Sequence, residues 1–83
     1  MAQDIEFVPI RRQRLSEELA NRIVTSIAAG QLRPGDQLPP IAEMARAFRV
    51  APATVREALI QLEAKRVIEI RQGAGVFVVA SAA

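Results

Sequence analysis

Two short apolar-periodic runs, IAEMARAF over Ile41–Phe48 and VAPATVREALIQLEAK over Val50–Lys65, follow each other so closely that only Arg49 to Ala51 separates their helical parts. That closeness constrains the fold more than any other feature of the chain. At helical spacing Val55, Ala58, Leu59 and Leu62 line one face of the second run, while Ala53, Thr54, Arg56, Glu57 and Ile60 fall to the sides or opposite. Pro52 suits a first helical turn, where its missing N–H has no intrahelical partner and its φ is already near helical. Two helices joined this tightly, the second amphipathic and beginning with small residues, match the helix-turn-helix pattern. In that pattern the second helix enters the DNA major groove with its N-terminal residues near base edges. An ordinary helical hairpin in a small α domain satisfies the same spacing.

Eighty-three residues, 51% of them hydrophobic, suffice for one domain with a modest core. No apolar run approaches the ~20 residues of a membrane span. The first ten residues carry Asp4 and Glu6 and lack a basic head, so they do not read as a signal peptide. Without cysteine there is no disulfide framework, and the chain suits a reducing cytoplasm. With neither His nor Cys, the usual zinc and nucleophile–base constellations cannot be built. The carboxylates are scattered singly except for Glu17–Glu18, which sit where a helix should start and would complement its dipole. No enzyme, cofactor or metal is expected.

The net charge of +2 understates the basicity of the rest of the chain. Residues 1–10 hold two of the nine acidic residues and no basic ones, so 11 basic side chains face seven acidic ones beyond them. Ten of the 11 are arginine, whose planar fork suits phosphate and guanine better than lysine's point charge.

In chain order, residues 1–14 show no sustained period and contain a proline, which predicts an extended or partly disordered arm. Its Arg11, Arg12 and Arg14 suit a phosphate backbone, although such a cluster is more often a solvated surface. Ser16 then signals a helix over about 16–29: its hydroxyl as cap, Glu17 and Glu18 in the first turn, Leu15 as staple. Leu19, Ile23 and Ile27, joined by Ala20 and Val24, make its apolar stripe, and Gly30 is placed to end it in a left-handed cap. Pro34–Gly35 marks a turn before a possible edge strand at Asp36–Leu38. Pro39–Pro40 opens a second helix over about 40–48, expected to bury Ile41, Met44, Ala45 and Phe48. After the third helix the β-branched runs Val67–Arg71 and Val76–Val79 flank Gln72-Gly73-Ala74-Gly75, which predicts a hairpin.

The expected fold is therefore mainly α with a β-hairpin (α+β), a winged helix-turn-helix of three helices plus a two- to three-stranded wing sheet. The division is an arm at 1–14, the DNA-binding domain at 15–80, and a tail or linker start at 81–83. A wing tip beside the recognition helix would present Arg71, Gln72 and the backbone around Gly73 to a neighbouring groove or phosphate row.

The run LRPGDQLP, then AEMA, then VAPATVREALIQLEAKRVIEIRQGAGVFV, resembles the N-terminal DNA-binding domain of GntR-family bacterial transcription regulators, nearest their FadR-like branch. The likeness covers roughly residues 8–80. It implies DNA contacts at the start of helix 2, at the start of helix 3, at a second helix-3 arginine and at the wing tip. Carried across, Thr54 and Arg56 match helix-3 contacts, Gly73 the wing glycine, and Gln72 a polar residue at the minor groove. The chain departs from the family where Pro40-Ile41-Ala42 replaces Ser-Glu-Arg, and where Ala51-Pro52-Ala53 replaces Ser-Arg-Thr. Two expected arginines are thus missing, and Pro52 and Ala53 hold base-facing positions. Arg46 and Arg49, near the turn, are either substitute phosphate contacts or solvated surface.

The resemblance also implies a C-terminal domain that binds an effector and makes the homodimer, and that domain is expected to lie outside this chain. The chain reads either as a cut-out DNA-binding half or as a short stand-alone protein. Double-stranded DNA is the expected partner, with no membrane. The alternative is a winged-helix protein-interaction module, motivated by Ala42, Pro52 and Ile60.

Overall fold

The computed structural model describes residues 10–79. Three helices, α1 (Ile10–Ala28), α2 (Ile41–Phe48) and α3 (Pro52–Ala64), precede two strands, β1 (Ile68–Arg71) and β2 (Gly75–Val78). This is the expected winged helix-turn-helix.

The largest departure from expectation is the start of α1. Residues 10–14, expected in an extended arm, are helical, and α1 begins directly after a proline in the sequence. Arginine, glutamine and leucine are good helix formers, so no local signal stops the helix short of that proline. Residues 1–9 and 80–83, the rest of the expected arm and tail, lie outside the described residues. Ser16 is consequently no cap. It sits one and a half turns inside the helix, 0% exposed, with its Oγ donating to the Gln13 carbonyl at 2.8 Å. Glu17 and Glu18 likewise lie beyond the first turn, which holds no acid, and Glu18 faces Arg22 one turn on.

All three helices end alike. Gly30 (φ 80°) donates to the Ile27 carbonyl and Gln31 to that of Ser26, the paired bonds of a Schellman cap. At the end of α2, Arg49 (φ 56°) donates to Arg46 and Val50 to Ala45. At the end of α3, Arg66 (φ 60°) donates to Glu63 and Val67 to Leu62. Two arginines therefore occupy the left-handed position where glycine carries no steric cost.

The turn between α2 and α3 follows from two residues. Arg49 reverses the chain, and Ala51 is held extended (φ −68°, ψ 147°) because it precedes a proline. Pro52 then starts α3 as its first residue. Val55, Ala58, Leu59 and Leu62 are all 1% exposed or less, so the predicted face is the core face. They meet Leu19, Ala20, Ile23 and Ile27 of α1, Met44 and Ala45 of α2, and Ile68 and Val78 of the wing. Phe48, expected in the core, is 39% exposed, and Val24 is also exposed. Phe48 is the last residue of the eight-residue α2 and lies at the edge of the core, in a cleft it shares with Ile23, Leu38 and Met44.

β1 and β2 pair antiparallel with Ile68 opposite Val78 and Arg71 opposite Gly75. The possible edge strand at 36–38 contributes a single bridge, Gln37 to Phe77, in which Leu38 donates to Val76 and Val78 to Asp36. The far edge of β1 is covered where Ile70 N–H donates to Glu63 Oε2 at 3.0 Å.

Candidate nucleic-acid interface

The exposed side of α3 carries Pro52, Arg56 and Ile60, spaced four residues apart and so on one face, opposite the core stripe. Arg56 shares an open, wholly apolar cup of ≈200 Å³ with Ile41, Leu59, Ile60, Ile70 and Val76. Ile41, Ile70 and Val76 also wall a groove of ≈380 Å³ that runs to Arg71, Gln72 and Gly73 at the wing tip. One continuous face therefore joins the start of α2, the exposed stripe of α3 and the wing.

Most of the expected residues reach the surface, and they are not all on one patch. Arg56, Arg71, Gln72 and Gly73 share the connected grooves, and Pro52 continues the Arg56 stripe. Ala53 is half-buried beside it. Arg46 and Arg49 are exposed at the α2 end of the turn and line neither groove. Thr54 is different: it is 2% exposed, packed inward next to Val55, so its side chain faces the protein and not the groove. The physical reason is its place in the helix, one residue before a fully buried valine and four before a fully buried alanine.

The charges sort into committed and available. Glu57 is engaged by Arg12, whose Nε lies 2.6 Å from its Oε1. Arg71 Nε donates to Glu69 Oε1, and its guanidinium stacks 4.6 Å from the centre of the Phe77 ring. Among the described residues Arg46, Arg49 and Arg56 make no ion pair. Both α2 and α3 start without a side-chain cap, Pro40 and Ala51 offering no acceptor. The first backbone N–H groups of α2 have no intrahelical partner, Ile41 at the first of these positions walls both grooves, and Glu43 places an acid in the same turn.

Sequence reasoning missed Gln37. Its Nε2 donates to the Ala74 carbonyl at 3.1 Å and so ties the hairpin tip to the segment before α2. The contact spans 37 residues, and no local pattern marks one glutamine between a turn and a proline. Among the described residues no group of His, Cys, Asp or Glu could hold a metal ion, and no helix is long and apolar enough to cross a membrane.

Comparison with known proteins adds to this geometry. The family described as bacterial regulatory proteins, gntR family, matches residues 15–78. The mannosyl-D-glycerate transport/metabolism system repressor MngR of Escherichia coli is 42% identical over 64 residues, 77% of this chain and 27% of its own length. The chain spans about a quarter of the length of such relatives. A transcriptional regulator from Oenococcus oeni superposes with a TM-score of 0.75 at 32% identity, over 93% of this chain and 62% of that one. AraR(DBD) in complex with operator ORR3 superposes with a TM-score of 0.75 at 26% identity, over 78% of each chain.

Proposed function

The chain belongs to the gntR family of bacterial regulatory proteins and is a winged-helix DNA-binding domain of that family, and from that premise we propose how it reads DNA. α3 enters the major groove with Pro52 and Ala53 at base edges and Arg56 as the principal reader of guanine or phosphate. The wing lies at the adjacent minor groove with Arg71, Gln72 and the backbone at Gly73. Arg46 and Arg49 hold phosphates beside the turn. Thr54 serves by packing α3 rather than by side-chain contact. The observation that carries this reading is Arg56, exposed and free of ion pairs among the described residues, in a cup whose walls continue to the wing tip.

The protein-interaction alternative is not favoured, since a neighbour with the same fold is solved on operator DNA. The family is one of regulators and not of enzymes. Dimerisation belongs to a C-terminal effector domain in the full-length regulator, and the cytoplasm, where bacterial DNA is, is the expected compartment.

A salt titration of binding to a mixed-sequence duplex tests the reading. Each phosphate contact contributes ~0.9 to the slope of log K against log salt, so affinity should fall steeply. An affinity that stays flat from low to moderate salt contradicts it.

A further inference from the structure

Arg12 lies ahead of the family-matching segment 15–78, in the residues 10–14 that lengthen α1 toward its N-terminus. Its guanidinium nevertheless reaches the recognition helix. Nε is 2.6 Å from Glu57 Oε1, with the two side chains 40% and 27% exposed. Nε itself is buried and not aligned for a conventional hydrogen bond, so the contact is a charge contact at close range. One turn further along both helices comes a second polar rung. Gln61 Nε2 donates to Ser16 Oγ at 3.0 Å, and that hydroxyl donates to the Gln13 carbonyl. Residues 12 and 16 on α1 thus face residues 57 and 61 on α3 in matching steps of four, which fixes how far α3 can slide or rotate against α1.

Glu57 directly follows Arg56. An unpaired carboxylate at that position stands close to wherever Arg56 meets DNA and repels phosphate, whereas a paired one is neutralised. We propose that Arg12 is a positioning residue for DNA binding, acting through Glu57: it holds the carboxylate on the α1 side of α3 and cancels its charge beside Arg56. The proposal rests on the reading that α3 faces DNA. Arg12 then contributes to affinity without touching the duplex, unlike the exposed Arg11 and Arg14 on the same helix.

The test is a double-mutant cycle with Arg12→Ala, Glu57→Gln and both together, plus Arg12→Lys. Binding of the chain to a mixed-sequence duplex is followed by fluorescence anisotropy at low salt. Arg12→Ala should weaken binding roughly three- to sevenfold, the effect of one uncovered charge at short range in a high dielectric. In the Glu57→Gln background the same substitution should change affinity less than about twofold, because no carboxylate is left to uncover. Arg12→Lys, which keeps the charge, should recover most of the loss. An equal loss in both backgrounds makes Arg12 a direct phosphate contact and overturns the proposal, as does no loss in either. Because Glu57→Gln preserves size and a polar head, its cycle is readable even where Arg12→Ala frays the start of α1. A wild-type chain that binds no duplex fails earlier, on the DNA reading itself.

Discussion

Gln37 occupies the space that a side chain on Gly75 would need. A Cβ built on this glycine collides with Gln37 Nε2 and sits 3.3 Å from Cδ. The same Nε2 donates to the carbonyl of the preceding residue, Ala74, so the hairpin tip is fastened to the segment before α2 beside a glycine. The wing is therefore placed relative to α3 by a tertiary contact as well as by its own strand ladder.

The two wing glycines should consequently differ when replaced. Gly73 has a φ of 75° with nothing near its Cβ, so Gly73→Ala should cost only the left-handed penalty of ~1–2 kcal/mol. Gly75 has a φ of 126°, a region still less open to alanine, and its Cβ also displaces Gln37. Gly75→Ala should cost ~2–3 kcal/mol and weaken DNA binding through the displaced tip. Denaturant unfolding of both variants checks the order, and equal losses would show that neither the φ of 126° nor the displaced Gln37 adds to the cost.

The arginines in left-handed caps give a paired prediction. Arg49→Gly and Arg66→Gly should each stabilise the fold by ~0.5–1 kcal/mol, the relief of strain less glycine's greater unfolded-state freedom. Only Arg49→Gly should also reduce the salt slope of DNA binding, by ~0.9, since Arg49 lies at the turn that leads into the start of α3, whereas Arg66 follows its far end, with Glu63, Ile68, Glu69 and Val79. Unfolding curves and salt titrations on the two proteins separate the effects.

Core and core edge should part company in the same way. Leu59 is 1% exposed, so Leu59→Ala should cost ~2–5 kcal/mol. Phe48, larger but 39% exposed, should lose ~1 kcal/mol or less on the change to alanine. A larger loss at Phe48 than at Leu59 would mean that Phe48 is packed more tightly than its exposure implies.

Pro52 offers the sharpest test of DNA docking. It begins α3 on the same exposed stripe as Arg56, and proline has no donor for a base. Pro52→Arg should add a guanine preference of ~1–3 kcal/mol at one base pair, as a bidentate pair to O6 and N7 provides. The helix should survive, because the site is its first residue and arginine is a good helix former. Selection from a duplex library randomised across a half-site, wild type beside variant, reads the outcome. No gained guanine preference would place α3 differently in the groove.

What the sequence determined by itself is everything carried by local periodicity and by backbone-specific residues. The spacing of Val55, Ala58, Leu59 and Leu62 names the buried face of α3 because each helical turn repeats at 3.6 residues. Gly30 ends α1 and Pro52 starts α3 because no other residue types fit those backbones as cheaply. The β-branched runs around Gly73 and Gly75 name the hairpin. The tertiary structure decided what lies between elements. Ser16 looked like a cap, since a serine before two glutamates satisfies that local rule, yet the helix runs through it and Gln61 provides its partner. Thr54 looked like a surface residue of α3 until the packing around Val55 enclosed it. Arg12 looked like one of three loose cations, and only the approach of α3 pairs it with Glu57, 45 residues on. Polar side chains at helix surfaces have no periodic signal for their partners. A hydrogen bond or ion pair between helices depends on a distance that exists only after the apolar stripes have docked.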